Sequence, residues 1–302
     1  MNWRRFFIRE GKLHPAWRVA LYLVAYPLSM MAANVAVVIA YLKAVHAPLD
    51  KLALQPLSAL PLGLRLVSIL ATLAATLLVT YLFCRFLDGR SFASLGFQRR
   101  RGWLREVAFG LALGLVLMGG IFLVEWGCGW LAFEGFAWGS EPLGGVLLSL
   151  LAHIAFFAPA AIEEEVAFRG YVLQNLREGW GIVPAVLLSS AIFGLFHSLN
   201  PHVSPLALAD IALGGVVFSC AYLATGSLWL PMAFHFAWNF FQGPVFGFPV
   251  SGLAVEGLLA TRVGESIVTG GPFGPEGGLA GIGANLAGLA FLWLWTRRSA
   301  EN

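Results

Sequence analysis

The sequence predicts an all-α membrane protein, a polytopic transmembrane helical bundle of about eight spans with both termini on the cytoplasmic side. Three observations carry this reading. Of the 302 residues, 59% are hydrophobic and only 12% are charged, against about 25% charged residues in an ordinary soluble domain. Eight apolar stretches reach or approach the roughly 20 residues needed to cross a hydrocarbon core. The basic residues, finally, gather in every second loop, as the positive-inside bias requires.

The spans run from Val19 to Leu42, Leu66 to Cys84, Val107 to Val124, Pro142 to Ile162 with a continuation beyond it, Ile182 to Phe196, Pro205 to Thr225, Leu228 to Phe246, and Leu279 to Thr296. The first is too long for a signal-peptide core and no small-residue cleavage pattern follows it, so it is expected to remain a span. The fifth and seventh are the least regular, since each carries a histidine and is bounded by glycine or proline. Arg4, Arg5, Arg9, Lys12 and Arg18 precede the first span, and Arg85, Arg90, Arg99, Arg100, Arg101 and Arg105 lie between the second and third. Arg177 follows the fourth, and Arg297 and Arg298 follow the last. The opposite side keeps only Lys43, Lys51, Arg65 and Arg262. An even number of spans places both termini with the positive charge, so parity and charge agree.

The chain divides into a basic segment at 1–17, N-terminal transmembrane helices at 18–135, a helical core at 142–246, and an outer loop with the last helix at 247–302. The basic, aromatic segment from Met1 to Trp17 suits an interfacial helix on the cytoplasmic leaflet. Gly243 to Gly278, rich in glycine and proline, reads as a long outer loop that could dip back toward the membrane. Gly110 and Gly114 form a GxxxG on the third span, a spacing that lets a neighbouring helix approach. Cys84, Cys128 and Cys220 are scattered, and neither a disulfide framework nor a zinc spacing follows from them. The short basic loops give no support for nucleic-acid binding.

Ionisable groups within spans are costly unless paired or hydrated, and they mark function by default. The fourth span runs into Glu163-Glu164-Glu165, with Arg169 four residues after Glu165 and so on the same helix face. Glu164 is turned about 100° away and is free to face elsewhere. That separation gives two adjacent carboxylates different work: one held ionised by an arginine, the other suited to proton transfer. The fifth span ends in Phe193-xxx-His197, and the seventh carries His235 and Asn239 at i and i+4. Counted along their helices, Glu164, His197 and Asn239 lie roughly 18, 22 and 16 Å above the cytoplasmic ends. One water-filled pocket could therefore hold them all. Asp210 and Glu125, near the outer ends of their helices, are expected to be interfacial or hydrated.

EExxxR, FxxxH and HxxxN on successive membrane helices define the type II CAAX prenyl endopeptidases and their bacterial relatives, the CPBP or abortive-infection group of intramembrane proteases. This sequence resembles that family from about Val146 to Phe241, in Glu164-Glu165-xxx-Arg169, Phe193-xxx-His197 and His235-xxx-Asn239. The extra Glu163 makes a triple glutamate that departs from the pattern. The resemblance implies an endopeptidase of the bacterial inner membrane that acts on a peptide or protein substrate, lipidated or membrane-anchored, among membrane lipids. It implies Glu164 as general base, polarising a water together with His197, then His235 and Asn239 as donors to the oxyanion, and Glu165 with Arg169 as supporting residues. Phe193 is most simply a packing residue. A glutamate and two histidines leave a divalent metal such as zinc open, though HExxH is absent and the preferred mechanism needs no metal. Two other readings use the same residues: a proton-coupled transporter, and a non-catalytic peptide-binding or bacteriocin-immunity protein of the same fold. The transporter reading lacks the matching second half that such folds show.

Overall fold

The computed structural model describes residues 7–46 and 61–300, with side chains to residue 297. Arg4, Arg5 and Lys51 lie outside the described residues. The helices are α1 (Pro15–Ala44), α2 (Leu62–Leu82), α3 (Trp103–Gly127), α4 (Leu143–Glu165), α5 (Leu173–Trp180), α6 (Ile182–Phe196), α7 (Pro205–Thr225), α8 (Trp229–Phe240) and α9 (Leu279–Ala300). Two short ribbons, β1 (Ile8–Arg9) with β2 (Lys12–Leu13) and β3 (Leu131–Phe136) with β4 (Leu259–Val263), complete the elements. Among the described residues six helical segments are long and apolar enough to cross a membrane, and the protein is an integral membrane protein. The two spans that sequence marked as irregular are the short ones. One is the 15-residue α6, and the other is the 12-residue α8 with the π-helical turn Phe241–Val245.

Local chemistry sets the ends. Ser204 caps α7 by accepting from the Ala207 amide at 3.1 Å, Pro205 follows, and Gly226 closes the helix in a left-handed conformation. α4 and α5 join through a π-helical turn, Val166–Val172, so that Leu143–Trp180 is one long helix. Such turns cluster at functional sites.

The expected N-terminal interfacial helix falls partly on residues 1–6, which lie outside the described residues; Phe7 is helical, and a hairpin follows it. Glu10 and Gly11 both have positive φ, 52° and 77°, and make a two-residue hairpin turn between β1 and β2. The hairpin is tied down by charge. Arg9 donates to the carbonyls of Glu178 and Gly179 at 2.9 and 3.2 Å, and Lys12 donates to the Asp88 carbonyl at 2.6 Å. Beneath it the buried Arg18 pairs with Asp88 at 3.1 Å and with Glu178 at 2.5 Å. Tyr171 and Asn175 also donate to Asp88. A free amphipathic helix would forfeit these bonds.

α1 lies along α2, α6 along α7, and α4 contacts α2 and α8. α3 packs along α8 at the GxxxG, where a Cβ on Gly114 would come within 2.5 Å of the Ala237 Cβ. Gly114→Val therefore forces two backbones apart and is expected to cost about 3 kcal/mol, read as a fall in Tm of the detergent-solubilised protein. An unchanged Tm would show that α3 does not press on the helix of His235 and Asn239.

The stretch from Gly243 to Gly278, expected to be an outer loop, is folded. Its β4 pairs with β3, and Phe248 and Phe273 are buried. Asp210 and Glu125, expected to be interfacial or hydrated, are both buried within the protein. Asp210 accepts from Asn285 Nδ2 at 2.8 Å, while neither Glu125 carboxylate oxygen has a hydrogen-bond partner among the described residues.

Candidate active site

Three consecutive glutamates leave α4 in three directions, because each residue turns the helix by about 100°. Glu163 is buried toward α1, where the Tyr26 hydroxyl donates to its Oε1 at 3.5 Å. Glu165 is fully buried and accepts from Arg169 Nη1 at 2.9 Å. Glu164 points between them, half-buried, and its Oε2 has no hydrogen-bond partner among the described residues. The expected Glu165–Arg169 pair is present, and Glu164 is the carboxylate left over.

Arg169 is held through both terminal nitrogens, while its Nε has no hydrogen-bond partner among the described residues. Its second nitrogen donates to the Gly215 carbonyl at 3.1 Å, and its guanidinium lies 4.4 Å from the Phe193 ring centre and 5.1 Å from that of Phe218. Phe193 therefore does more than fill space. Its ring also meets His197 edge-on at 4.9 Å and His235 at 6.2 Å, bracing three polar groups at once.

The two histidines are oriented through their Nδ1 atoms. His197 lies just past the end of α6, and its Nδ1 is 2.9 Å from the Phe193 carbonyl. A carbonyl only accepts, so Nδ1 carries the proton and a neutral ring keeps a lone pair on Nε2. His235 Nδ1 lies 2.9 Å from Glu165 Oε1, the same oxygen that binds Arg169. Its ring stacks on Phe218 with centres 4.7 Å apart, and its Nε2 stands 3.8 Å from Glu164 Oε2. That last distance is too long for a direct hydrogen bond.

Glu164, His197, His235 and Asn239 all line one cavity of about 480 Å³. Glu165 and Arg169 are not among its lining residues; they stand behind it and fix His235. The cavity also draws on residues that sequence reasoning did not select: Tyr26, Glu163, Asp210, Asn285, and Ser251 and Glu276 of the outer loop. Asn285 was visible in principle as the one amide inside the apolar run of α9. Glu276, in a glycine-rich loop, carried no such signal.

Glu276 joins that loop to α8. Its carboxylate accepts from Trp238 Nε1 at 3.0 Å, Gln242 Nε2 at 3.3 Å, and the Ser251 amide and hydroxyl at 2.8 and 2.7 Å. Glu276→Ala strands those donors and is expected to free the loop from the helix. Faster amide exchange across residues 248–278 would show it, and unchanged exchange would refute the latch.

Among the described residues, no group of three or more His, Cys, Asp and Glu side chains converges closely enough to hold a metal ion. Glu164, His197 and His235 share the cavity without forming a ligand set of the kind zinc takes.

Residues 144–241 match the family model described as Type II CAAX prenyl endopeptidase Rce1-like. The matched segment contains all seven motif residues. A curated Escherichia coli protein, described as "Uncharacterized 24.3 kDa protein", is 32% identical over 97 residues, which is 32% of this chain and 42% of that protein. The chain thus spans less than half the length of that relative. No solved structure matches.

Proposed function

We propose, on the premise that residues 144–241 are a member of the type II CAAX prenyl endopeptidase Rce1-like family, that the protein is an intramembrane endopeptidase. The observation that carries the reading is Glu164 Oε2, which has no hydrogen-bond partner among the described residues and lies in a cavity that Glu164 shares with His197, His235 and Asn239.

Glu164 accepts a proton from a water, and the resulting hydroxide attacks the peptide carbonyl carbon. His197, anchored through Nδ1, offers Nε2 to polarise and hold that water. The carbonyl π electrons move onto oxygen, and the oxyanion meets donors on His235 and Asn239. His235 Nδ1 is engaged by Glu165, so this ring donates to the oxyanion from Nε2 in its imidazolium form. Collapse of the tetrahedral intermediate breaks the C–N bond, and Glu164 returns its proton to the leaving amine. The role of Glu165 and Arg169 is to keep His235 from rotating away. Well-placed oxyanion donors are worth about 10²–10³-fold in rate, so rigidity behind His235 has a direct value.

The test is cleavage of a peptide library by the purified protein in lipid nanodiscs. His197→Ala and Asn239→Ala are each expected to lower the rate by about 10²-fold or more, with cleavage surviving dialysis against a chelator. Cleavage at the full rate by both variants would overturn this mechanism. Loss on chelation that zinc restores would require a metal centre in its place.

A further inference from the structure

We propose that the cavity is entered from the non-cytoplasmic face and that it takes a cationic stretch of an extracytoplasmic peptide. This deepens the endopeptidase reading and rests on it for the statement that the bound peptide is cut. The face of entry and the charge preference stand on separate observations.

The first observation is where the cavity lies along the bundle. Its lining includes Asn200, Ser251, Leu253 and Glu276, all from the connections that follow α6 or precede α9. No residue of the connections at the opposite end, 83–102, 173–181 and 226–228, lines it. That opposite end is closed. Tyr22, Leu95, Tyr171 and Leu228 are fully buried there, and the Arg18–Asp88 pair sits in the same region. The closed end is also the basic end, carrying Arg85, Arg90, Arg99, Arg100 and Arg101 in one connection and Arg105 in the first turn of α3, so the positive-inside bias makes it cytoplasmic. The open end then faces outward.

The second observation is charge. Four carboxylates line the cavity, those of Glu163, Glu164, Asp210 and Glu276, and no lysine or arginine does. Glu163 Oε2 and Asp210 Oδ2 are buried without a hydrogen-bond partner among the described residues. Arg169, the nearby cation, is consumed by Glu165. A peptide's free C-terminal carboxylate would enter this field with no guanidinium or ammonium to receive it, and the His235 ring is already set against Glu164 and Glu165. A lysine, arginine or amino terminus would instead find acceptors that currently lack donors. On that side Glu141, Glu256 and Glu265 stand against Lys43, Arg65 and Arg262, and Arg262 is paired with Glu134 at 2.7 Å, so the charge preference rests on the cavity itself.

A membrane-impermeant maleimide tests both parts in right-side-out vesicles. Native Cys128, exposed after α3, should be labelled without permeabilisation, and Cys128→Ser should abolish that labelling. Leu253→Cys in the Cys128→Ser chain, or Leu199→Cys if the first fails to fold, should also label from outside. A lysine- and arginine-rich decapeptide should slow labelling of Leu253→Cys about tenfold, and an aspartate- and glutamate-rich one should not. Labelling of Cys128 only after permeabilisation would overturn the face of entry. Equal protection by both peptides would overturn the charge preference. Labelling and protection as expected, without any cleavage, would refute the endopeptidase reading while leaving this inference standing.

Discussion

Glu164→Gln is expected to lower the rate of peptide cleavage by about 10²–10⁴-fold while leaving Tm nearly unchanged. The two halves of that expectation have separate causes. Glutamine is nearly isosteric but cannot take a proton from water, so the base is lost. The Glu164 Oε2 makes no hydrogen bond within the described protein, so little that holds the fold goes with it. Parallel measurement of cleavage and thermal unfolding distinguishes a catalytic carboxylate from a structural one. A variant that cleaves at the original rate would remove Glu164 from the reaction. A variant that loses both activity and Tm would make it a structural residue like its neighbour Glu165.

Arg169→Met carries the largest expected effect on stability. Removing the guanidinium leaves Glu165, which is fully buried, with His235 as its remaining polar contact. Stranding a buried charge in this way costs about 3–5 kcal/mol, and the loss of two aromatic contacts adds to it. The double variant Glu165→Leu with Arg169→Met removes both charges and is expected to recover most of the lost stability, because apolar replacement of a whole buried pair is often neutral. It should not recover cleavage, since His235 Nδ1 has then lost the oxygen that orients it. Thermal melts of the single and double variants beside cleavage assays would decide the matter. Full activity in the double variant would show that His235 needs no anchor.

The fold class was legible because membranes impose a coarse rule: spans must be long, apolar and helical. All eight expected spans appear as helices, and the two that glycine and histidine made irregular are the two short ones. What failed to show were structures held by contacts distant in sequence. The β1–β2 hairpin depends on Glu10 and Gly11 turning left-handed and on Asp88 and Glu178 receiving its cations. β3 finds its partner in β4 more than a hundred residues away. In the site, helical spacing paired Glu165 with Arg169 correctly, since both lie on one helix. Spacing could not say that His235, 70 residues on, shares the same oxygen of Glu165. Nor could it bring Asp210 to Asn285, or Glu276 to Trp238. Periodicity reports which face a residue occupies, whereas the neighbour across that face belongs to another helix.

The bonds of Glu276 bear on how occupancy of the cavity and motion of the outer loop are linked. Trp238 stands between His235 and Asn239 in sequence, and its indole is tied to the loop through this one carboxylate. A guest that binds the latched loop more tightly than the free one biases it toward the latched arrangement, and the latch ties the loop to the helix that carries both groups. Linkage makes that influence mutual. A loop shortened or cut between Gly247 and Glu276 should therefore weaken peptide affinity without touching a catalytic side chain, and a bound peptide should in turn shield the loop from proteolysis.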